Sequence, residues 1–278
     1  MKLPPHISFS QYNTYVDCPR NWYLSKIRQA EQVQTWYLPI GTAVHMMVEH
    51  HLDCIKRSVQ NTQTAEGVFF PLISAQMEIE SDLSKWLAGG PKADPVTGDA
   101  ALQRVKDCFE KALEFLEDID VWEVEYDASG PLPGLSVPVS AFIDIIGEHK
   151  KLGPTILDWK SGSKKPSNNL QLETYAALLA FNEDPKNYQQ VGDFQGLWAM
   201  LAPGAAVARP IDLSEVDPAA VGAKYQKVRT AMEAMQIQAN KKFMCKMCFN
   251  SVNCLEYSGP LSDRARYYDR SRHDQPPY

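Results

Sequence analysis

The segment from Phe142 to Gly162, FIDIIGEHKKLGPTILDWKSG, constrains the rest of the chain more than any other. Two runs rich in Ile, Leu and Phe flank a stretch bearing Gly, Lys and Pro, the pattern of two strands joined by a turn. Each run carries an aspartate in its apolar interior, Asp144 in FIDII and Asp158 in TILDWK, and Lys160 follows Asp158 by two positions. Residues two apart on a strand point to the same face, so Asp158 and Lys160 share one. A turn that sets Gly147 opposite Thr155 also sets Asp144 opposite Asp158, whereas a slip by one residue sends the groups to different faces. A lone charge among such neighbours is costly. Two arrangements lower that cost. One is a buried Asp–Lys ion pair with the second Asp hydrogen-bonded to backbone. The other is a hard divalent cation held by both carboxylates, with the lysine nearby to meet an anion. The triplet D-x-K alone favours the ion pair, and the second aspartate at hairpin distance favours the cation.

Around this hairpin the chain divides into two halves of different period. From Ser8 to Ile27 it is rich in aromatics (Phe9, Tyr12, Tyr15, Trp22, Tyr23) and predicts a short helix, a Cys-Pro break and another helical turn. Ile40, Val44, Met47, Val48 and Leu52 have amphipathic spacing and predict a helix over 40–55. Helices near 71–88 and 99–119 follow, separated by GGPKADPVTGD, a loop by composition. The period then changes to two. VWEVEY (121–126), SVPVSAFIDII (136–146), TILDWK (155–160), FQGLWAML (194–201) and AVARPIDL (206–213) read as strands. Further helices are expected from Leu170 to Phe181 and from Asp217-Pro218 to Lys241, the latter with Pro at an early helical position. The tail from Ser258 has few aliphatic residues and several charges, so it is expected to be flexible.

Two helical stretches offer polar groups to the hairpin. In GTAVHMMVEHH, His45 and Glu49 lie four apart on one helical face and can add a ligand to the same cation, while His50 and His51 read as solvated. In QLETYAALL, Gln171 and Tyr175 share a face directly after the D-x-K strand, where they can line a groove and hold a phosphate or a base. The start of the chain has no apolar run of signal-peptide length, and no stretch approaches the roughly 18 apolar residues of a membrane span. A cytoplasmic setting is expected, with the six cysteines as thiols. Cys245, Cys248 and Cys254 form C-x2-C-x5-C, and Cys18 completes a four-ligand centre if the chain ends meet. Four thiolates suit zinc or an iron–sulfur cluster. Cys54 and Cys108 fall within predicted helices and read as inert buried thiols.

The 28 Lys+Arg against 34 Asp+Glu leave a net charge of -6, which argues against a surface that is one large polyanion clamp. Basic residues gather locally instead: Arg20, Lys26 and Arg28; Lys150 and Lys151; Lys160, Lys164 and Lys165; Lys241, Lys242 and Lys246. No GxxxxGK(S/T) stretch is present, so nothing points to ATP-driven unwinding within this chain. A zinc nucleobase deaminase needs H-x-E and P-C-x-x-C, whereas His45 is followed by Met-Met and Cys245 is preceded by Met244.

CPRNWYL with its upstream Ser-Phe-Ser, then GTAVHMMVE, FIDII, ILDWKSG, QLETYA and the C-terminal CKMC…C follow one another in an order that resembles the RecB-type nucleases of the PD-(D/E)XK superfamily. The resemblance runs from Ser8 to Cys254 and points to the iron–sulfur branch that includes the CRISPR-associated exonucleases and the helicase–nuclease AddB. It implies an α/β fold with a restriction-endonuclease-like core, a mixed central sheet flanked by helices, beside a helical N-terminal part and a C-terminal cysteine cluster. It implies one domain over 1–257: a helical part over 8–120, a catalytic core over 121–240, and a cysteine cluster at 245–254 closing on Cys18. His45, Asp144 and Asp158 become ligands of Mg2+ or Mn2+, Lys160 the catalytic lysine, and Gln171 and Tyr175 an auxiliary motif beside the site. Cys18, Cys245, Cys248 and Cys254 become ligands of a 4Fe–4S cluster. The implied activity is DNA cleavage, as an exonuclease on ends or single strands, with a helicase, a recombinase or CRISPR adaptation proteins as partners and no membrane. The rival readings are a catalytically silent DNA-binding or assembly module of the same fold, and a nuclease with zinc in the cysteine site. One departure is visible, Ile143 where the superfamily's name has Pro, and the stretch 56–135 matches no family motif.

Overall fold

The computed structural model describes residues 2–86, 97–162, 164–182, 188, 193–205, 209–240, 245, 248–250, 253 and 254. Lys241, Lys242, Lys246, the predicted tail and most of the GGPKADPVTGD loop lie outside the described residues. The first part of the chain comprises β1 (Ile7–Ser8), α1 (Phe9–Asp17), α2 (Pro19–Trp22), α3 (Tyr37–Arg57), α4 (Ala65–Met77) and α5 (Gly98–Leu116). Then come β2 (Ile119–Asp127), β3 (Val139–Ser140), β4 (Phe142–His149), β5 (Gly153–Lys160), α6 (Leu170–Phe181), β6 (Gln195–Met200), β7 (Ile211–Asp212) and α7 (Pro218–Glu233). No helix among the described residues is long and apolar enough to cross a membrane.

The strands form a mixed five-stranded sheet in the order β2-β4-β5-β6-β7, parallel only between β5 and β6, and a small parallel ladder of β1 with β3. Alternation along β5 feeds both faces of the large sheet. Ile156 packs with Leu172, Ala176 and Tyr225 of α6 and α7, while Leu157 and Trp159 pack with Val44, Val105 and Ala112 of α3 and α5. Each face is thus covered by helices, as a sheet buried on both sides requires. The β4–β5 hairpin has the expected register, with Gly147 paired to Thr155 and Ile145 to Leu157.

Local chemistry accounts for the element ends. Ser8 caps α1 by accepting the Gln11 amide at 3.2 Å, and α1 stops at Cys18, whose extended backbone precedes Pro19. Asp217 caps α7 with Pro218 at its first position. α6 is buried on most of its surface and leaves only a few polar residues to face the sheet edge.

Four expectations are corrected. The predicted helix over 71–88 runs instead from Ala65 to Met77: it starts earlier because Thr64 accepts the Gly67 amide at 3.1 Å and Pro71 is carried inside the helix, and of the rest only Leu83–Lys85 is a short helical turn. The predicted strand over 136–146 is two strands, with Ala141 between them, so that β3 can leave the main sheet for β1. Of the strand expected over 206–213 only Ile211–Asp212 is strand, residues 206–208 lying outside the described set, and the last helix ends at Glu233.

Candidate functional site

The β4–β5 ladder ends at Ile145 and Leu157, and beyond it the two strands part. The next residue on each side is Asp144 and Asp158. Asp144 Oδ2 accepts the Trp159 amide at 2.6 Å, so a side chain takes over the backbone donor that the ladder leaves behind. Asp158, buried and only 2% exposed, forms an ion pair through Oδ2 with Lys160. That oxygen is fully buried, and the Lys160 ammonium is its partner.

α6 closes the other side. Gln171 Nε2 donates to Asp158 Oδ1 at 2.6 Å and lies 2.7 Å from the Tyr175 hydroxyl, which itself reaches Asp158 Oδ1 at 3.3 Å. Lys160 Nζ donates to Gln171 Oε1 at 3.1 Å and lies 5.0 Å over the Trp198 ring. The four residues form one network on the face that the period of two predicts for Asp158 and Lys160, and that the period of 3.6 predicts for Gln171 and Tyr175.

A third side comes from α3 and β2. His45 Nδ1 lies 3.4 Å from Asp144 Oδ1 and 3.5 Å from Glu125 Oε1. The ligand atoms of His45, Glu125 and Asp144 all lie within 4.8 Å of one another. Glu125 is absent from the sequence reading, and β2 shows why. A bulge shifts the β2–β4 register between Val121 and Glu123, next to Gly147, where a Cβ would stand only 2.5 Å from Asp120 O. Past the bulge Val124 pairs with Ile145 and Tyr126 with Ile143, so Glu125 falls opposite Asp144. Without the extra residue Val124 would stand there. Glu125 also holds a left-handed backbone, φ 47°, which costs a non-glycine residue about 1–2 kcal/mol.

Glu49, the expected second group of α3, does not join this gathering; it lines a groove between α3 and β2. His50 meets the Cys54 sulfur at 3.4 Å, and His51 stacks edgewise on Phe109. Cys54 and Cys108 are buried in their helices, as expected.

The electrostatics favour a cation. Burial works against a charged His45, but the hydrogen bonds to Asp144 and Glu125 and the charges of Asp144 and Asp158 outweigh it and lift its pKa to about 10. Burial, then the charge of Asp144, raises Asp158 to about 6 despite the Lys160 ammonium and His45. Burial also raises Tyr175, with the charges of Asp158 and Asp144 adding to it, so its hydroxyl keeps its proton. In the free protein a protonated imidazolium therefore does what a metal ion would do for the carboxylates. A buried ion pair with a backbone-bonded aspartate is present, but it needs no His45, Glu125, Gln171 or Tyr175 converging on it. The carboxylates of Glu125 and Asp144 beside the His45 imidazole make a hard donor set that suits Mg2+ or Mn2+, whereas Asp158 stays paired with Lys160 and is not among these three.

The cysteines form a second gathering. The Asn240 amide donates to Cys18 Sγ at 3.4 Å, while Cys245 Sγ donates to Asn240 O at 3.8 Å, so one residue touches sulfurs from both chain ends. Cys248 Sγ reaches Asn21 Oδ1 at 3.5 Å. Burial pushes the Cys248 thiol up to about 12, and Cys18, Cys254 and Cys245 lie near enough to add to the shift. One of these contacts, from the Asn240 amide to Cys18 Sγ, is a backbone hydrogen bond of the kind a metal-bound thiolate accepts.

The sequence profile of the PD-(D/E)XK nuclease superfamily matches residues 6–254. No curated protein matches the chain. Among solved structures, one titled "Crystal structure of SSO0001" shares 12% identity with a TM-score of 0.34, over 78% of this chain and 96% of that chain.

Proposed function

Because the chain belongs to the PD-(D/E)XK nuclease superfamily, we propose that it is a metal-dependent DNA exonuclease whose reaction centre is His45, Asp144, Asp158 and Lys160. The observation that carries this reading is the convergence of His45, Glu125 and Asp144 on the point where β4 and β5 part, beside the Asp158–Lys160 pair. His45, Asp144 and Asp158 would hold Mg2+ or Mn2+, with Glu125 as a fourth group at the same place. When bound, the cation supplies Lewis-acid activation of the phosphodiester and of water. Lys160 would present its ammonium to the phosphoryl oxygens where negative charge builds in the transition state, and orient the attacking water. Gln171 and Tyr175 hold the Asp158 carboxylate through two donors, so its second oxygen stays turned to the reaction centre. Glu125 fixes the ring of His45. We read residues 1–257 as one domain, with Cys18, Cys245, Cys248 and Cys254 holding a 4Fe–4S cluster as a structural clip.

End-labelled single- and double-stranded DNA tests the activity. Labelled ends should be lost in Mn2+ or Mg2+, and EDTA should stop the reaction. Cutting of closed circular DNA without ends would turn the reading toward an endonuclease, and no cutting of any DNA would refute it.

The cation site has its own test in thermal shift or calorimetric titration with Mn2+. Glu125→Gln should weaken Mn2+ binding by about 10- to 100-fold. Glu125→Gly should weaken it as much, and in the metal-free protein the left-handed strain that glycine relieves should offset part of the lost His45 contact, so the variant should melt no lower than Glu125→Ala. Binding requires His45 and Asp158 without their protons, so affinity should climb as pH rises through about 6 and further toward about 10. Unchanged Mn2+ affinity in both variants would remove Glu125 from the site.

A further inference from the structure

Two grooves flank the reaction centre among the described residues, and their charges differ. The groove between α3 and β2, of about 770 Å3, carries the carboxylates of Glu49, Asp53 and Glu123 against Lys56 and Arg57, and Arg57 is already paired with Asp53 at 2.9 Å. The cleft on the other side, of about 410 Å3, lies between the first turns of α1, the start of β4 and α6. No aspartate or glutamate lines it, and its one charged group is Lys160. Asp158 lies just behind, shielded by its bonds to Lys160 and Gln171. A strand carrying one phosphate per nucleotide meets repulsion in the first groove and none in the second.

The cleft also holds an aromatic group that the fold does not use. Phe142, at the start of β4, is 49% exposed and stands two residues from Asp144, so both point to the same face of the strand. An exposed phenyl ring beside a reaction centre is a platform for a nucleobase. Across from it stands the Ser-Phe-Ser motif, with Ser8 Oγ and Ser10 Oγ 2.9 Å apart on the cleft wall. The capping role of Ser8 accounts for one of these serines; Ser10 is exposed and makes no capping bond.

We propose that this cleft is the path of the strand to be cut: single-stranded DNA crosses the first turn of α1, stacks a base on Phe142 and runs its backbone to Lys160. The proposal rests on the nuclease reading and adds the side from which substrate enters. A volume of about 410 Å3 lies in the lower part of the range of about 300–1,000 Å3 typical of small-ligand sites, so it suits a nucleotide of a single strand.

The test measures fluorescence anisotropy of a short fluorescein-labelled single-stranded oligodeoxynucleotide in Ca2+, with cutting of the same oligonucleotide in Mn2+ followed separately. Ser10→Glu places a carboxylate in the cleft at the second position of α1, where the helix's positive end favours an acid, so the fold is retained. It should weaken binding about tenfold or more, Phe142→Ala should weaken it about tenfold, and Ser10→Lys should tighten it, a gain that misfolding does not produce. Ile55→Glu, on the wall of the other groove at a site 61% exposed, should stay within about twofold of the parent. If Ser10→Glu and Ser10→Lys both bind like the parent, or if Ile55→Glu loses as much as Ser10→Glu, the cleft assignment falls while the nuclease reading stands. If the parent neither binds nor cuts the oligonucleotide, both fall together.

Discussion

Asp158→Asn is expected to reduce DNA cleavage by roughly a thousandfold or more while the protein stays folded. The two changes separate because of what each carboxylate oxygen does. Oδ1 accepts from Gln171 and Tyr175, and an asparagine oxygen takes over both bonds. Oδ2 faces Lys160 and the reaction centre, and there an amide nitrogen brings neither charge nor a ligand lone pair. Lys160 is partly exposed and can turn its ammonium to water, so the fold does not have to accommodate two facing donors. Lys160→Ala differs in kind. It leaves a fully buried carboxylate without its partner, and breaking such a pair costs up to about 3–5 kcal/mol. Asp158, already raised to about 6, limits the loss by taking up a proton, but a neutral acid is a poor ligand. Lys160→Ala should therefore lose both cleavage and thermal stability, and adding Asp158→Asn should recover stability without activity. Melting curves and end-labelled DNA assays on the three variants decide the matter. Cutting by Asp158→Asn at the parental rate would sink the assignment of the centre.

The parts of this site that were legible in the sequence are those fixed by simple periods. A hairpin with an aspartate in each strand has few registers that keep both on one face, and the pairing of Gly147 with Thr155 is one of them. Gln171 and Tyr175, four apart on a helix with Asn169 at its cap, meet Asp158 as the 3.6 period directs. Glu125 was not legible, because a bulge changes which β2 residue faces Asp144, and VWEVEY offers no glycine or proline to mark it. For Glu49 the helical face was right but the distance was not. One further turn along α3 carries it past the parting of β4 and β5 into the neighbouring groove. The helix expected from residue 71 begins instead at Ala65, and Pro71 fits inside it because tertiary packing of Val68, Phe69 and Ile73 holds the helix.

Loss of Cys18, Cys245, Cys248 or Cys254 should remove the iron and lower thermal stability, whereas Cys54→Ala and Cys108→Ala should keep the iron. A clip between Cys18 and the C-terminal thiols would close a loop of more than two hundred residues, which in chain-entropy terms contributes about 5 kcal/mol. In the folded state hydrogen bonds join the same two segments as well. The Tyr15 hydroxyl donates to Gln236 O at 2.6 Å, Val33 N to Phe249 O at 3.1 Å, and Asn253 Nδ2 to Glu31 O at 2.6 Å. Asn250, fully buried, donates to Asn21 Oδ1 at 2.8 Å and to Ser25 Oγ at 2.7 Å. What such a clip would add is the position of α1, since Cys18 directly follows it and the opposite end of that helix forms the wall of the cleft beside Lys160. Cys18→Ala should therefore weaken single-stranded DNA binding and slow cleavage while leaving Mn2+ affinity at His45, Asp144 and Asp158 unchanged. Iron analysis near four atoms per chain, with a brown colour after anaerobic purification, supports a 4Fe–4S centre. One zinc and no iron, or a Cys18→Ala protein with its full metal content, would end the cluster assignment and leave the reaction centre untouched.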